Sequence, residues 1–409
     1  MFNFIYNKYN QLFCKNLFER LVIYILLSLL FAKLYSEGVL GQEIYYNPRI
    51  AQWIFYLLLA TDYIVNIKKI VTMKIQFNAM SVFAMSLFPM LAHGLIVGIY
   101  NDNPWFLIFN DTIPFLTIAI NIFRMQSSTE NETPIDFQFL FRFCGFTSVC
   151  SVLFSFLLQK AGFILEATLK VEAVYLCVFF AALLTQYKLR YRDIFYFIIV
   201  MSFAITQMNR TTLVFIAIVA GIICIKSLLR NPIRGAIIAL VSVSVIIIGF
   251  YSLPKDSATY KRIIDSQNID LSKRTGSVGE RQQERDSVNL ELYKRSPTDE
   301  LVGMGMGGTY TMKFTHETVK EYGHAHYSWV WFKMRFGQIG YVYLGILTLA
   351  LILNCIRNIT LYTPLSISIS LLCFSSMLYL FTYVNSIFLL SGLTFLYLNN
   401  EKKRKILGY

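Results

Sequence analysis

Charge is what this sequence has least of. Asp, Glu, Lys and Arg together supply 15% of its 409 residues, against roughly 25% in a soluble globular domain. That scarcity excludes an ordinary water-soluble enzyme as the whole of the chain. Cysteine is missing from the one long polar stretch, 254–325. All seven cysteines (Cys14, Cys144, Cys150, Cys177, Cys224, Cys355 and Cys373) lie in or beside apolar runs. Their placement excludes a disulfide-stapled external domain and offers no clustered zinc spacing. Internal repeats of the kind that mark many secondary transporters are missing too.

What is present is apolar. Hydrophobic residues make up 56% of the chain and aromatics 16%. Runs long enough to cross the ~30 Å hydrocarbon core recur from end to end. The expectation is an all-α, polytopic integral membrane protein with about twelve transmembrane helices, or eleven, since the seventh run is short and the third long. They fall at 17–35, 50–66, 76–100, 104–124, 137–158, 170–187, 191–206, 211–229, 234–253, 326–353, 361–380 and 384–399. The chain thus divides into a nine-span region, 1–253, a 72-residue loop, 254–325, and a three-span region with a basic tail, 326–409. The first run leads into further spans, so it reads as a start-transfer span and not as a cleaved signal peptide.

Lys and Arg set the orientation. They gather at Lys8 and Lys15, at Lys68, Lys69 and Lys74, at Lys188, Arg190 and Arg192, at Lys226, Arg230 and Arg234, at Arg357, and at Lys402, Lys403, Arg404 and Lys405. Every one of these segments falls on the same side if both termini are cytoplasmic, which puts 254–325 outside. The net charge of +13 does not indicate nucleic acid: 254–325 carries 11 Lys plus Arg and 11 Asp plus Glu, and the excess lies on the cytoplasmic rim.

The loop has a helix signal. Ser277 and Glu280 have capping-box spacing, a helix-compatible run extends to Arg295, and Pro297 stops it. On that helix Arg281, Arg285, Val288 and Leu292 share a face. The face suits docking on protein or lipid, which would fix both arginines, and it also suits a solvated helix of alternating charge. Arg210 sits at the outer mouth between the seventh and eighth spans. It either snorkels or lines a polar cavity, and in the cavity its guanidinium could grip a phosphate in bidentate fashion.

His324 and His326 precede the tenth span, beside Tyr327 and Trp329. They suit an interfacial aromatic belt, or a general base or phosphate donor at the membrane surface. A third metal ligand is missing, so no metal is expected. Gly303, Gly305, Gly307 and Gly308 permit tight turns and the close approach of a ligand, but they match no nucleotide-binding fingerprint. His93 and Asp111 each lie about seven residues from the outer ends of the third and fourth spans, roughly 10 Å deep at ~1.5 Å per residue. They form a candidate His–Asp pair facing a cavity, or a plain helix–helix hydrogen bond.

These motifs, in this order, resemble the O-antigen polymerase/O-antigen ligase superfamily of bacterial polysaccharide assembly. Asn209-Arg210-Thr211-Thr212 stands at the family's span-opening arginine step and Arg281 or Arg285 at its loop arginine. Gly303 to Gly307 stand at its glycine turn, and His326 with Gly337 and Gly340 at its histidine and following glycines. The chain departs from the pattern at Thr211, Tyr327 and Arg335, where Gly, Asn and an acidic residue are common. The resemblance implies a metal-independent glycosyltransferase of the GT-C type, without a cofactor. Its site would lie at the periplasmic face of the bacterial inner membrane.

Its donor and acceptor would be undecaprenyl-diphosphate-linked glycans, with membrane lipids and a chain-length regulator as further partners. Arg210, Arg281 and His326 would be catalytic, and Arg285, His324, Gly303, Gly305 and Gly307 would bind the diphosphate or substrate. The expected activity is polymerisation of repeat units for O-antigen, capsule or exopolysaccharide. The rivals are the ligase that transfers glycan to lipid A core and, from another class, a flippase of lipid-linked oligosaccharide. A flippase should line a central path with charges and does not need a 72-residue external loop. The topology has a direct check. With the native cysteines replaced, an impermeant maleimide should label Ser257→Cys in intact cells and leave Lys403→Cys unlabelled until the membrane is opened. The reverse pattern inverts the orientation.

Overall fold

The computed structural model describes residues 16–39, 48–71, 79–127, 135–164, 175–180, 190–207, 276–313, 319–323 and 327–359, with isolated positions elsewhere. The protein is mostly helical, and among the described residues three helices are long and apolar enough to cross a membrane: Met80–Tyr100, Trp105–Met125 and Phe137–Lys160. Shorter apolar helices cover Ile50–Val65 and Ile339–Leu353. The expected spans 211–229, 234–253, 361–380 and 384–399 fall, but for isolated positions, outside the described residues, as does most of 170–187. Two compact units make up the chain, each assembled from separated segments.

In the first unit, α1 (Leu17–Gly38) and α6 (Phe137–Lys160) pack together, and α7 (Tyr191–Gln207) packs on α6. Side-chain caps start both long helices: Asn16 accepts from the Phe18 amide at 2.8 Å and Asp136 from the Phe139 amide at 2.9 Å. The Glu19 carboxylate accepts from the Asp136 amide at 2.7 Å, and the Glu37 carboxylate from the Ser155 hydroxyl at 2.6 Å. One bond at the start of both helices and one near the end of both mean that α1 and α6 run parallel. At the start of α7, buried Asp193 accepts from the Arg190 amide at 3.0 Å and pairs with Arg142 of α6 at 3.4 Å. Glu19, Glu37 and Asp193 are buried in the interior of the helix cluster, and each has a donor there, as burial demands.

The helix α2 (Pro48–Val65) begins in the first unit and ends in the second, followed by the single turn α3 (Ile67–Val71). The second unit continues with α4 (Ala79–Tyr100) and α5 (Trp105–Ser127), an antiparallel hairpin. A tight turn through Asn101–Pro104 joins them, with Asp102 at φ +51°. Near the far end of α5, Arg124 pairs with Asp62 of α2, both fully buried, and its guanidinium lies 5.9 Å from the centre of the Tyr63 ring. Asn66 completes the carboxylate shell by donating to Asp62 at 3.2 Å.

The loop region of the second unit is more structured than the all-α expectation of short helices. It holds α8 (Gly276–Arg295), the single-turn α9 (Pro297–Val302) and a two-stranded antiparallel hairpin of β1 (Tyr310–Lys313) and β2 (Val319–Tyr322), in which Tyr310 faces Tyr322. Pro297 both stops α8 and starts α9, as residue N1 behind a Ser296 cap. The tenth span, expected as one run over 326–353, is broken. It forms α10 (Ser328–Phe336) and α11 (Ile339–Ile359). The break falls at Gly337, at φ +59°, where a Cβ would sit 2.6 Å from the Glu300 carbonyl oxygen of the crossing α9. An apolar pattern does not reveal that another segment crosses the helix there.

The Arg124–Asp62 pair sets a stability test. Removing one partner of a buried ion pair costs about 3–5 kcal/mol, while replacing both with apolar side chains is often neutral. Arg124→Ala should therefore lower the thermal unfolding midpoint of the purified protein markedly. Asp62→Leu combined with Arg124→Met should restore most of it.

Candidate functional site

The helix α8 docks through Glu284, Val288 and Leu292, all buried. The expected face of Arg281, Arg285, Val288 and Leu292 is turned slightly: Glu284 takes the buried place, accepting from the Tyr310 hydroxyl of β1 at 2.8 Å, and Arg285 moves to the rim. Lys333 of α10 donates to Asn289 at 2.7 Å and fixes the helix from the other side. Docking, and not an independent solvated helix, is therefore the arrangement of α8.

Docking sets the two arginines. Arg281 donates to the Tyr327 hydroxyl at 3.4 Å, and its guanidinium lies 5.2 Å from the centre of that ring. Tyr327 in turn stacks on Trp329, with ring centres 6.1 Å apart. One turn along α8, Arg285 is held by Asp286 at 3.0 Å with its side chain 45% exposed. Arg281 and Arg285 thus present two cations one helical turn apart, the first against Tyr327. Such a pair can grip an anion with several oxygens.

Beside this face runs the glycine-rich segment. Gly303, Gly305 and Gly307 adopt φ of +83°, +74° and +77°, which only glycine tolerates comfortably. The expectation of close ligand approach gives way to close approach by the protein's own backbone. A Cβ on Gly305 would lie 2.5 Å from the Cα of Gly98 in α4, one on Gly303 2.5 Å from the Arg335 carbonyl carbon, and one on Gly307 2.8 Å from Ile108 of α5. The reciprocal fit is equally tight, with a Cβ on Gly98 falling 2.5 Å from the Met306 carbonyl oxygen.

Hydrogen bonds lock the segment on every side. The amides of Met304 and Gly305 donate to the carbonyls of Met334 and Arg335 at 2.8 and 3.0 Å, satisfying the C-terminal end of α10. The Met306 amide donates to the Gly94 carbonyl at 2.7 Å, and Asn103 donates to the carbonyls of Met304 and Met306, both at 2.8 Å.

His93 and Asp111 do not form the expected pair. The ring nitrogens of His93 meet the Val302 carbonyl at 3.0 Å and the Tyr343 hydroxyl at 3.3 Å. Asp111 accepts from the Gly307 amide at 2.8 Å and pairs with Arg335 at 2.7 Å. Each serves the glycine segment from its own helix. Arg335 is fully buried, and besides Asp111 it donates to the carbonyls of Gly308 and Gly323. The sequence marked Arg335 only as a departure from a family pattern; a cation inside an expected span was the signal that could have found it.

Arg210, His324 and His326 lie outside the described residues, though Gly323, Ala325 and Tyr327, which alternate with the two histidines in sequence, lie within them. Among the described residues, no three His, Cys, Asp or Glu converge as a metal site. Compared with known proteins, the chain matches no protein-family model and no curated sequence.

The fit of Gly305 against Gly98 is directly testable. Gly305→Ala adds a Cβ where backbone already stands, at a φ that alanine resists, so it should destabilise by more than the ~1 kcal/mol of an ordinary positive-φ replacement. Lower membrane levels and a lower unfolding midpoint are expected, against wild-type values for Gly221→Ala, where a Cβ meets nothing within 4 Å.

Proposed function

We propose that this protein is a polytopic inner-membrane glycosyltransferase that joins undecaprenyl-diphosphate-linked repeat units at the periplasmic face. The observation that carries the proposal is the docking of α8, which holds Arg281 against Tyr327, the residue after His326, with Arg285 one turn along at the exposed rim. Arg281, held against Tyr327, and Arg285, one turn along, suit the diphosphate of a lipid carrier, whose chain lies in the bilayer while its phosphates lie at the surface.

In the proposed step, an acceptor sugar hydroxyl attacks the anomeric carbon of the donor glycan. A new C–O bond forms as the bond from that carbon to the diphosphate oxygen breaks, and the diphosphate leaves with the electron pair. Negative charge develops on that leaving group, and Arg281 and Arg285, with Arg210 from the seventh–eighth span junction, stabilise it. Preorganised charge of this kind is commonly the largest catalytic contribution. His326 takes the proton from the acceptor hydroxyl, with His324 as its neighbour on the same strand of sequence. The lipid carrier already activates the donor, so neither nucleotide sugar nor metal takes part.

The expected topology supports this reading, since parallel packing of α1 on α6 agrees with their places as first and fifth spans. So does the concentration of polar structure in one region, 276–327, next to apolar helices.

Arg210→Ala, Arg281→Ala and His326→Ala, each introduced into a strain without its own copy, should abolish the polysaccharide ladder. A single repeat unit should remain on core, with membrane levels normal. Losses of about 10²–10³-fold are expected for removing one charge-stabilising group. Loss of all glycan from core, with lipid-linked polymer accumulating, identifies a ligase instead. An unchanged ladder in all three variants rules out this site.

A further inference from the structure

Arg335 does more than neutralise Asp111. Its guanidinium donates to the Gly308 carbonyl on one side and the Gly323 carbonyl on the other. Those two residues flank the β hairpin, Gly308 two positions before β1 and Gly323 directly after β2. One side chain therefore closes the base of the hairpin, and Asp111 anchors that side chain to α5 while also accepting from the Gly307 amide at 2.8 Å. Trp331 lies under the guanidinium, 5.5 Å from ring centre to the central carbon, and prevents it from swinging away.

What leaves the clamp is the segment that the proposed chemistry uses. Three residues separate Gly323 from Tyr327, which contacts Arg281, and His324 and His326 are two of them. The hairpin also carries Tyr310, whose hydroxyl bonds Glu284 and so fixes α8, the helix of Arg281 and Arg285. Both arms of the candidate site, the histidine segment and α8, leave the same buried guanidinium.

We infer that Arg335 and Asp111 are positioning residues: their buried ion pair holds the hairpin base, and through it sets Tyr327 against Arg281 of α8. The inference rests on the transferase proposal above. It requires a bidentate, planar donor, since a lysine can keep the charge pair with Asp111 but cannot reach two carbonyls in different directions. Replacing the pair with apolar side chains removes the clamp without leaving a lone buried charge.

The test uses full-length protein carrying Arg335→Lys or the double change Asp111→Leu with Arg335→Met, with two readouts. One is amide hydrogen exchange of the purified protein in bilayer discs. The other is the polysaccharide ladder in cells. At normal membrane levels, exchange in Val319–Gly323 should rise about tenfold or more while α4 and α5 keep wild-type rates, the signature of a local opening. The ladder should collapse to a single repeat in the double variant and shorten in Arg335→Lys.

Faster exchange with an intact ladder overturns the inference, because the segment's setting would then not matter. Unchanged exchange overturns it whatever the ladder does. If neither variant reaches the membrane, the pair is a folding element and the positioning role is likewise overturned. An intact ladder in both Arg281→Ala and His326→Ala defeats the transferase reading instead, and the exchange result still decides whether the clamp exists.

Discussion

A guanidinium with no exposure to water depends on partners inside the protein. The two terminal nitrogens of Arg335 find theirs in a carboxylate from α5 and two carbonyls flanking the β hairpin, with Trp331 against the face of the group. The rest of the second unit is arranged around this constraint. The glycine segment has to pass close enough for Gly308 to accept from it, which forces Gly305 against Gly98. α10 has to stop at Phe336, and its last carbonyls are capped by the amides of that same segment. α8 then rests on the hairpin that the guanidinium has closed.

Ionic contacts in the two units follow one pattern with different partners. Asp193 with Arg142, Asp62 with Arg124 and Asp111 with Arg335 each pair a buried carboxylate on one helix with an arginine on another. In an apolar bundle, hydrophobic burial gives little discrimination between one helix neighbour and another, because one apolar surface is much like the next. A buried charge with a single possible partner does discriminate. These pairs specify which helices meet and at what height, at the expense of some stability relative to an all-apolar interface.

The helices themselves were legible in the sequence. α4 and α5 begin and end within about three residues of the expected spans 76–100 and 104–124, because unbroken apolar runs and a turn of Asn, Asp and Pro are local signals. α8 was legible from Ser277, Glu280 and Pro297 for the same reason. The site was legible only in part. Arg281 was read on one face with Arg285, Val288 and Leu292, suited equally to docking or to solvent; α8 docks with Glu284 in the buried place, and Arg281 lies beside Tyr327. The partners of His93 and Asp111 were not legible: each bonds residues about 200 positions away, and spacing along one chain carries no record of such contacts. The break at Gly337 was hidden too, since Arg335 and the glycine were read as details of a continuous span. The glycines showed that something approaches closely, and nothing local distinguishes a ligand from a neighbouring helix.

The parallel pairing of α1 with α6 also bears on how the chain is made. Glu19 waits for an amide 117 residues downstream, and Glu37 for a hydroxyl 118 residues downstream. At a synthesis rate of about 5–20 residues per second, the partners emerge roughly 6–24 seconds after the first helix does. Through that interval Glu37 has Lys33 of its own helix 3.8 Å away, but neither carboxylate has yet met its donor on α6. α1 therefore forms well before its packing against α6 can be completed.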